Sequence, residues 1–401
     1  MNGIRERVMA GPCISASSRH SGSAMGRDDT LLMVADSERD ANMLYAVRMF
    51  VPDPFIYLRV NGRPVIVLSD LEIDRARKQA KHCRAVSFSS IAQKLERING
   101  KKPHSAEVIK SLLKTKRRSK VFVPGNFPHG LARQLRQLKV KVKVAKGPVF
   151  PEREFKDAQE VKYVSAALMM AEVGLAEGIQ ALKSSKIGKG KTLFYHGVPL
   201  TAEKLRSIID IAIIQAGGIA SHTIVACGKQ GCDPHERGFG PLKGDQPIIL
   251  DVFPKSQRTG YFGDITRTVV RGKASEPLRK MFDTVVRGQE LAISRVKVGV
   301  KGAEVHQAVK KLFEEAGFKT GRVKGQMQGF FHGTGHGLGL EVHEAPRLAA
   351  NSEDVLKEGH IVTIEPGLYY PEIGGVRMED DVLVTAKGAR NLTKFEKVLE
   401  I

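Results

Sequence analysis

The pattern of apolar and polar positions becomes regular at about residue 29. Residues 31–36, "LLMVAD", form a short apolar run, and residues 54–70, "PFIYLRVNGRPVIVLSD", contain two such runs separated by Asn61-Gly62. The first run predicts a strand and the second stretch a β-hairpin, since Asn-Gly favours the tight turn between paired strands. Helix and strand signals then alternate up to residue 150. This order predicts an α/β domain over residues 29–150.

From residue 151 to 401 the signals separate into long helices and apolar strands. Helical spacing of apolar positions predicts helices over 156–182, 201–217 and 302–317, the second capped by Thr201 and ended by Gly217. Apolar runs that predict strands are "TIVACG", "QPIILDVF", "GYFGDITRTVV", "HIVTIEPGLYY" and "VRMEDDVLVT". This segregation predicts an α+β domain with a largely antiparallel sheet.

Composition agrees with a multidomain globular protein. The chain has 401 residues, 27% of them charged, and no apolar run long enough to cross a membrane. Residues 1–28 are rich in serine and glycine without an apolar core of a secretory signal, so we expect a disordered tail. The four cysteines, Cys13, Cys83, Cys227 and Cys232, are scattered. They predict buried thiols in a reducing, cytoplasmic compartment, the alternative being a metal shared by the last two.

The net charge of +21 is concentrated at the start of the chain. Residues 1–150 carry 29 lysines and arginines against 12 acidic residues, and within them residues 101–150 carry fourteen against Glu107 alone. Such a block could attract nucleic acid, anionic lipid or an acidic partner. It has no aromatic platform for stacking bases, so we expect a solvated surface and no nucleic-acid partner.

Four predicted strands of the second domain carry acidic residues within apolar sequence. These residues are Asp251, Asp264, Glu365 and Glu379. A buried ionised carboxylate is costly unless a cation compensates it. Taken one at a time, each could instead form an ordinary ion pair or cap, but their joint occurrence favours a metal centre.

Residues 332–346, "HGTGHGLGLEVHEAP", place His332, His336 and His343 among four glycines. One imidazole from this stretch and the four carboxylates make a set of hard oxygen donors with one nitrogen, which suits Mn²⁺, Co²⁺ or Zn²⁺. Four negative charges are too many for one ion, and fit two divalent cations about 3.5–4 Å apart that activate a water.

These motifs resemble those of the M24 "pita-bread" metallopeptidases, in the branch of aminopeptidase P and prolidase. The resemblance rests on "DVFPKSQRTGYFGDITRT", "HGTGHGLGLEVHEAP", "TIEPGLYY" and "GGVRMEDDVLVT", in the family's order, and covers residues 151–401. More loosely, "RDANMLYAV" resembles the start of the creatinase-type N-terminal domain over residues 29–150. The resemblance implies a smaller α/β domain followed by a catalytic α+β domain of the pita-bread fold.

The resemblance also implies roles for individual residues. It implies that Asp251 chelates one metal ion and that Asp264 and Glu379 bridge the two ions. His336 and Glu365 would complete the coordination of the second ion. Glu365 would also take the proton of the bridging water, the nucleophile. His235 and His343 would meet the scissile carbonyl, His332 would line a proline pocket, and Arg377 would support the bridging carboxylates or bind the peptide.

The sequence departs from the family pattern in two places. Asp251 and Asp264 lie thirteen positions apart, which we interpret as a two-residue insertion in the turn "PKSQRTG". His222 and Cys227 replace the phenylalanine and serine usual around "SHTIVACG", so we expect the pocket near His235 to differ from that of the family.

The sequence therefore predicts a cytoplasmic, homodimeric aminopeptidase that cleaves the bond between an N-terminal residue and proline. It would use two divalent ions, with Mn²⁺ expected before Co²⁺ or Zn²⁺. The nearest alternative is an Xaa-Pro dipeptidase. A methionine aminopeptidase would lack this N-terminal domain, and a non-catalytic binding protein would have lost one or more ligands.

Overall fold

The computed structural model describes Gly26 and residues 29–401, so the predicted tail over residues 1–28 lies, apart from Gly26, outside the described residues. The chain forms two compact units, with the boundary between Val149 and Phe150. We call them the N-terminal unit and the C-terminal unit.

The N-terminal unit alternates strands and helices, as its sequence predicts. Its strands are β1 (Leu31–Ala35), β2 (Phe55–Val60), β3 (Arg63–Leu68), β4 (Arg84–Ser87), β5 (Lys120–Val123) and β6 (Lys141–Val144). Its helices are α1 (Ala41–Val47), α2 (Asp70–Gln79), α3 (Phe88–Asn99), α4 (Ser105–Thr115) and α5 (His129–Gln137).

These strands form one mixed sheet in the order β4-β3-β2-β1-β5-β6. The hairpin β2-β3 is antiparallel and turns at Asn61, whose φ of 49° is the left-handed conformation that this turn requires. Strands β5 and β6 are parallel, joined through α5. A core of β-branched and leucine side chains lies between the sheet and α4 and α5.

The C-terminal unit contains four long helices and the remaining strands. The helices are α6 (Ala158–Lys183), α7 (Ala202–Gln215), α8 (Glu276–Arg295) and α9 (Gly302–Glu315), and short 3₁₀ turns span Pro151–Glu154, Lys189–Lys191 and Gly228–Cys232. The strands are β7 (Lys186–Ile187), β8 (Leu193–Tyr195), β9 (Val198–Pro199), β10 (Gly218–Ile219), β11 (Ile224–Cys227), β12 (Pro247–Val252), β13 (Lys255–Ser256), β14 (Ile265–Val270), β15 (Gly321–Val323), β16 (Gln326–Gln328), β17 (Gly335–Gly337), β18 (Glu344–Leu348), β19 (Ile361–Ile364), β20 (Gly367–Tyr370), β21 (Gly374–Arg377), β22 (Asp380–Thr385) and β23 (Gly388–Asn391).

Two antiparallel sheets carry most of the site. One has the order β11-β12-β14 and the other β18-β17-β19-β22-β23. The pair α6 and α7 packs on the first sheet through a core that includes Leu168 and Ile209, and the pair α8 and α9 packs on the second through a core that includes Val285 and Val309. The largely antiparallel pairing confirms the α+β prediction for this unit.

The predicted helix ends hold for α7. The Thr201 side chain accepts a hydrogen bond from the backbone N–H of Lys204, and Gly217 adopts a φ of +89° directly after the helix. The Thr201 cap and the left-handed glycine both satisfy backbone groups that a helix end leaves unpaired.

Three predicted strands are wrong in detail. The stretch 360–370 is two strands, β19 and β20, interrupted at Glu365-Pro366, because proline cannot donate to a sheet ladder. The stretch 376–385 is likewise interrupted at Met378-Glu379, and β14 begins at Ile265, after Asp264. Of the four singled-out carboxylates, Asp251 alone lies within a strand, and the other three flank strand ends.

Among residues 29–401, none of the helices combines the length and the apolar character that a bilayer crossing demands.

Candidate metal centre

Asp251 and Asp264 face the site from neighbouring strands of the first sheet. Asp251 lies on β12, opposite Ile224 and Thr266, and Asp264 directly precedes β14. Both residues are at most 9% exposed, and the Oδ1 atom of each has no hydrogen-bond partner among the described residues. A buried carboxylate oxygen without a donor is costly, and a cation is the simplest compensation.

His336 lies on β17, where its backbone N–H donates to Thr363 Oγ1 at 3.1 Å. Its ring Nδ1 lies 3.0 Å from the carbonyl oxygen of Gly337. A carbonyl can only accept, so Nδ1 carries the proton and the Nε2 lone pair remains available as a ligand. Burial lowers the pKa of this imidazole to about 3, which keeps it neutral as metal coordination requires.

Glu365 directly follows β19, the neighbour of β17, and its backbone N–H donates to the carbonyl of Thr334 at 2.8 Å. Its Oε1 lies 3.3 Å from His336 Nε2. Burial raises the pKa of Glu365 to about 7, opposed by the positive charge of Arg377 and increased by the negative charge of Asp251. A carboxyl with that pKa can accept or release a proton near neutral pH.

Glu379 lies between β21 and β22 and is 2% exposed. Its Oε2 accepts a hydrogen bond from Thr266 Oγ1 at 2.6 Å, and its backbone N–H donates to the Thr266 carbonyl at 3.1 Å. Thr266 on β14 therefore fixes the carboxylate from the opposite sheet.

Asp264, His336 and Glu379 offer ligand atoms that all lie within 4.8 Å of one another. Burial, then the charges of Glu379 and Asp251, raises the pKa of Asp264 well above its usual value. Burial, then Glu365 and Asp251, does the same for Glu379. Mutual repulsion of this kind marks carboxylates packed around a common centre.

The donor set fits divalent cations. Asp264, Glu379 and the neutral imidazole of His336 form its core, and Asp251 and Glu365 lie within electrostatic range of Asp264. The Oδ1 atoms of Asp251 and Asp264 have no partner in the described chain. Hard oxygen donors with one nitrogen suit Mn²⁺, Co²⁺ and Zn²⁺ alike. The four carboxylates, one of them already paired with Arg377, carry more negative charge than one divalent ion can balance, which favours two.

Arg377 and His332 are linked through a phenol. Arg377 Nη2 donates to Asp251 Oδ2 at 2.6 Å, and its Nη1 donates to the hydroxyl of Tyr369 at 3.0 Å. His332 Nε2 lies 2.8 Å from that hydroxyl, while its Nδ1 lies 2.7 Å from the Gly333 carbonyl. The carbonyl fixes the proton on Nδ1, so the Tyr369 hydroxyl donates to Nε2. Both nitrogens of His332 are thus engaged, which leaves its ring face to contact a ligand.

His235 and His343 are exposed at the edge of the site. The His343 ring stands edge-on to the His336 ring, with centroids 4.5 Å apart. Burial, then the charges of Arg347 and His235, lowers the pKa of His343. His235 lies just beyond the 3₁₀ turn Gly228–Cys232 and accompanies His343 within electrostatic range. A ring N–H of either residue can donate a hydrogen bond to a bound carbonyl.

Sequence reasoning missed several polar partners of the site. Thr266 and Tyr369 lie inside motifs that were recognised, but a hydroxyl gives no sign in the sequence of which side chain it will meet. Arg347 on β18 was also missed, although its charge acts on His336, His343 and Glu365. A lone arginine on an exposed strand position looks like any surface cation.

Cys227 and Cys232 are free thiols, as is Cys83, while Cys13 lies outside the described residues. Burial raises the pKa of Cys232 to about 11. No described group of three metal-ligating side chains includes either cysteine, so the alternative of a metal shared by this pair gains no support.

Sequence comparison places the C-terminal unit in a known family. The model of metallopeptidase family M24 matches residues 162–386. The Xaa-Pro dipeptidase of Pyrococcus furiosus is 38% identical over 182 residues, which cover 45% of this chain and 49% of that protein. The Xaa-Pro dipeptidase of Pyrococcus horikoshii is 30% identical over 282 residues, 69% of this chain and 74% of that protein.

Solved structures agree on the fold. The Xaa-Pro dipeptidase from Bacillus anthracis superposes with a TM-score of 0.78 at 24% identity, covering 93% of this chain and 95% of that one. The X-Pro aminopeptidase from Thermotoga maritima gives 0.78 at 21% identity, covering 93% and 97%. The expected fold class is confirmed, with an N-terminal domain preceding a pita-bread unit. On its motifs, its fold and the matched region, the chain belongs to metallopeptidase family M24.

Proposed function

We propose that this protein is a dinuclear metal-dependent Xaa-Pro dipeptidase. The observation that carries the hydrolytic part is the convergence of Asp264, His336 and Glu379 within 4.8 Å, with Asp251 and Glu365 in electrostatic contact with them. We propose a dipeptidase in place of the aminopeptidase predicted from the sequence, because the two Pyrococcus relatives are named Xaa-Pro dipeptidases. The aminopeptidase remains the second candidate.

In this proposal Asp251, Asp264, His336, Glu365 and Glu379 hold two divalent ions, Mn²⁺ first, with Co²⁺ and Zn²⁺ as alternatives. The ions would supply Lewis-acid polarisation of a peptide carbonyl and lower the pKa of a water molecule. This chemistry does not depend on a peptide N–H, which a bond to proline lacks.

The chain's own groups complete the reaction. Glu365 accepts the proton of the attacking water, and the hydroxyl of Thr363, with its Oγ1 3.4 Å from Glu365 Oε1, orients the carboxylate. His343 and His235 donate to the oxygen that gains charge as the carbonyl becomes tetrahedral. Glu365 then delivers its proton to the departing proline nitrogen, which needs one to leave as an amine.

A feature of the surroundings supports dipeptides over longer peptides. A cavity of about 700 Å³ opens beside His332, and its lining includes Phe331, the cations Arg347 and Lys310, and the carboxylates of Glu353 and Asp354. Aromatic walls suit a proline ring, and a guanidinium suits a free carboxylate. In an Xaa-Pro dipeptide that carboxylate belongs to the proline itself, while a longer peptide has an uncharged amide at this position.

The test compares an Xaa-Pro dipeptide with the tripeptide Xaa-Pro-Ala after the protein has been stripped with chelator and reloaded with Mn²⁺, Co²⁺ or Zn²⁺. We expect kcat/KM for the dipeptide to exceed that for the tripeptide by at least about tenfold. Release of the first residue from the tripeptide at an equal or higher rate would favour the aminopeptidase. No hydrolysis of either peptide with any metal would overturn both.

Two accompanying proposals are independent of specificity. We propose that the protein works as a homodimer, the commonest symmetric assembly, and in the cytoplasm, where thiols remain reduced. Size-exclusion chromatography with light scattering tests the first.

A further inference from the structure

Glu344, the residue after His343, is an acidic side chain that the proposed mechanism leaves without a role. Its carboxylate is 7% exposed and has four donors. Oε1 accepts from the backbone N–H groups of Leu340 and Glu341 at 3.0 and 3.2 Å. These two bonds close residues 340–344 into a compact loop with His343 at its end.

The remaining two donors are cations from the first residues of the C-terminal unit. Arg153 Nη2 lies 2.6 Å from Glu344 Oε1, and Lys156 Nζ lies 2.9 Å from Oε2. The Lys156 side chain is 1% exposed and that of Arg153 12%. Arg153 Nη2 also contacts Glu341 Oε2 at 2.7 Å, so one guanidinium holds both acidic residues of the loop.

These contacts are worth more than a surface ion pair. Water screens an exposed pair, whereas removing one partner of a buried, hydrogen-bonded pair leaves the other charge uncompensated. The opposing charges of Lys156 and Arg153 hold the pKa of Glu344 below its usual value even though burial acts to raise it. The carboxylate is therefore an anion fixed by four donors.

The packing leaves little freedom elsewhere in the loop. A Cβ on Gly339 would lie 2.6 Å from Glu344 Oε2, so glycine is needed for the carboxylate to fold back this closely. The Gly339 carbonyl accepts from the N–H of Phe262 at 2.8 Å, two residues before Asp264. The loop is thus tied to the segment 151–156, and the glycine that precedes it is tied to the segment that leads to Asp264.

We propose that Arg153 and Lys156, acting through Glu344, are positioning residues that hold His343 edge-on to His336 for contact with the scissile carbonyl. Segment 151–156 begins two residues after Val149, where the N-terminal unit ends. The first turn after the domain linker is thereby part of the support of the reacting centre. This inference rests on the proposed function for its kinetic consequence, but not for its structural one.

The experiment uses the full chain with Arg153→Gln and Glu344→Gln, and Glu315→Gln as the matched control. Glu315 pairs with Lys311 on α9 at 3.8 Å in an exposed ion pair. Hydrogen–deuterium exchange, which needs no substrate, should show faster exchange of the Leu340 and Glu341 amides in Arg153→Gln and Glu344→Gln, and no change there in Glu315→Gln. Unaltered loop exchange in both would overturn the proposal, whatever the protein hydrolyses.

Kinetics on the Xaa-Pro dipeptide supply the second readout. We expect Arg153→Gln to lower kcat by about 10-fold to 100-fold, with KM changed by less than about threefold, because a displaced His343 loses its transition-state contact. Arg153→Lys should recover part of that loss. In a His343→Asn background, followed over long incubations, Arg153→Gln should cost less than about twofold more, since the group it positions is already gone.

An equal loss in the wild-type and His343→Asn backgrounds would show that Arg153 acts on the fold at large and would refute the positioning role. Metal content and thermal unfolding of each variant identify a protein that has failed to fold, in which case the exchange result of Arg153→Lys decides. Absence of all hydrolysis in the wild type counts against the proposed function alone.

Discussion

His336 Nε2 lies 3.3 Å from Glu365 Oε1, although the hydrogen bond of Nδ1 to Gly337 leaves Nε2 without a proton. A neutral imidazole and an ionised carboxylate would present two lone pairs to each other at this distance. Either a proton on Glu365 or a cation beside both atoms resolves the conflict. The two solutions compete, and that competition governs how this protein responds to pH and metal.

The first prediction concerns pH and stability in the presence of chelator. The pKa of Glu365 rises from its usual 4.5 to about 7 on folding, so the folded chain binds this proton more tightly than the unfolded chain. The stability from this group is present in full below about pH 4.5 and is lost as the pH rises through about 7. We expect Glu365→Gln to melt at a higher temperature than wild type in EDTA, by a margin that widens over this range.

Adding Mn²⁺ should reverse the order of the two melting temperatures at about pH 7.5, because the variant lacks a ligand and gains less from binding. Differential scanning fluorimetry across pH measures both effects. A margin that is constant with pH would mean that Glu365 titrates normally in the folded chain.

The second prediction concerns the phenol between Arg377 and His332. Tyr369→Phe removes an acceptor from Arg377 Nη1 and a donor from His332 Nε2, both in a buried site. Leaving such groups unpaired costs about 1–3 kcal/mol in the free energy of unfolding. Urea denaturation measures this, and Tyr370→Phe is the control, because the Tyr370 hydroxyl binds a carbonyl at an exposed position. An equal loss of unfolding free energy in Tyr369→Phe and Tyr370→Phe would contradict the proposed link between Arg377 and His332 through Tyr369.

The third prediction concerns a buried arginine behind the site. Arg267 donates from Nη1 to the carbonyl of Glu379 at 2.7 Å and from Nη2 to Asp380 Oδ1 at 2.8 Å, with both side chains of the ion pair 1% exposed. Arg267→Met should cost about 3 kcal/mol in the free energy of unfolding, since it leaves the buried Asp380 with Lys397 as its one cation among the described residues and removes a donor from the carbonyls of Thr266 and Glu379. Arg279→Met, which breaks an exposed pair with Glu400, should cost less than about 1 kcal/mol. A similar loss of stability in Arg267→Met and Arg279→Met would contradict the larger contribution expected of the buried pair.

The fourth prediction concerns the thiols. Burial raises the pKa of Cys83 and of Cys232 to about 11, and burial likewise raises that of Cys227. The thiolate is the reactive form, so a Cys13→Ser variant should resist iodoacetamide at about pH 7.5 when folded and react in urea. Mass spectrometry follows the labelling. Rapid labelling of folded Cys227 or Cys232 would mean that these thiols are activated.

The sequence was most informative where charge contradicts its surroundings. Asp251 and Asp264 stand out because apolar sequence seldom carries carboxylates. In the structure Asp264 lies with His336 and Glu379 in one group, and the charge of Asp251 acts on Glu379. The helix α7 was predictable for a similar reason, since its cap at Thr201 and its stop at Gly217 are local in sequence.

Other features were not predictable because tertiary contacts decide them. Helix α8, residues 276–295, escaped notice, as did the strand breaks at Glu365 and Glu379 that turn these carboxylates toward the centre. The two cationic donors to Glu344 lie 188 and 191 positions away in sequence. No pattern along the chain connects residues that far apart. The assignment of the site residues as ligands therefore stays a prediction until metal binding is measured.

The most direct test of the metal centre counts the ions. Isothermal titration calorimetry of the chelator-stripped protein with Mn²⁺, checked by elemental analysis after desalting, should give two ions per chain for the wild type. Asp264→Asn, which removes a proposed bridge between both ions while preserving side-chain volume, should bind at most one ion tightly. One ion per wild-type chain, or two retained by Asp264→Asn with unchanged affinity, would contradict the dinuclear centre.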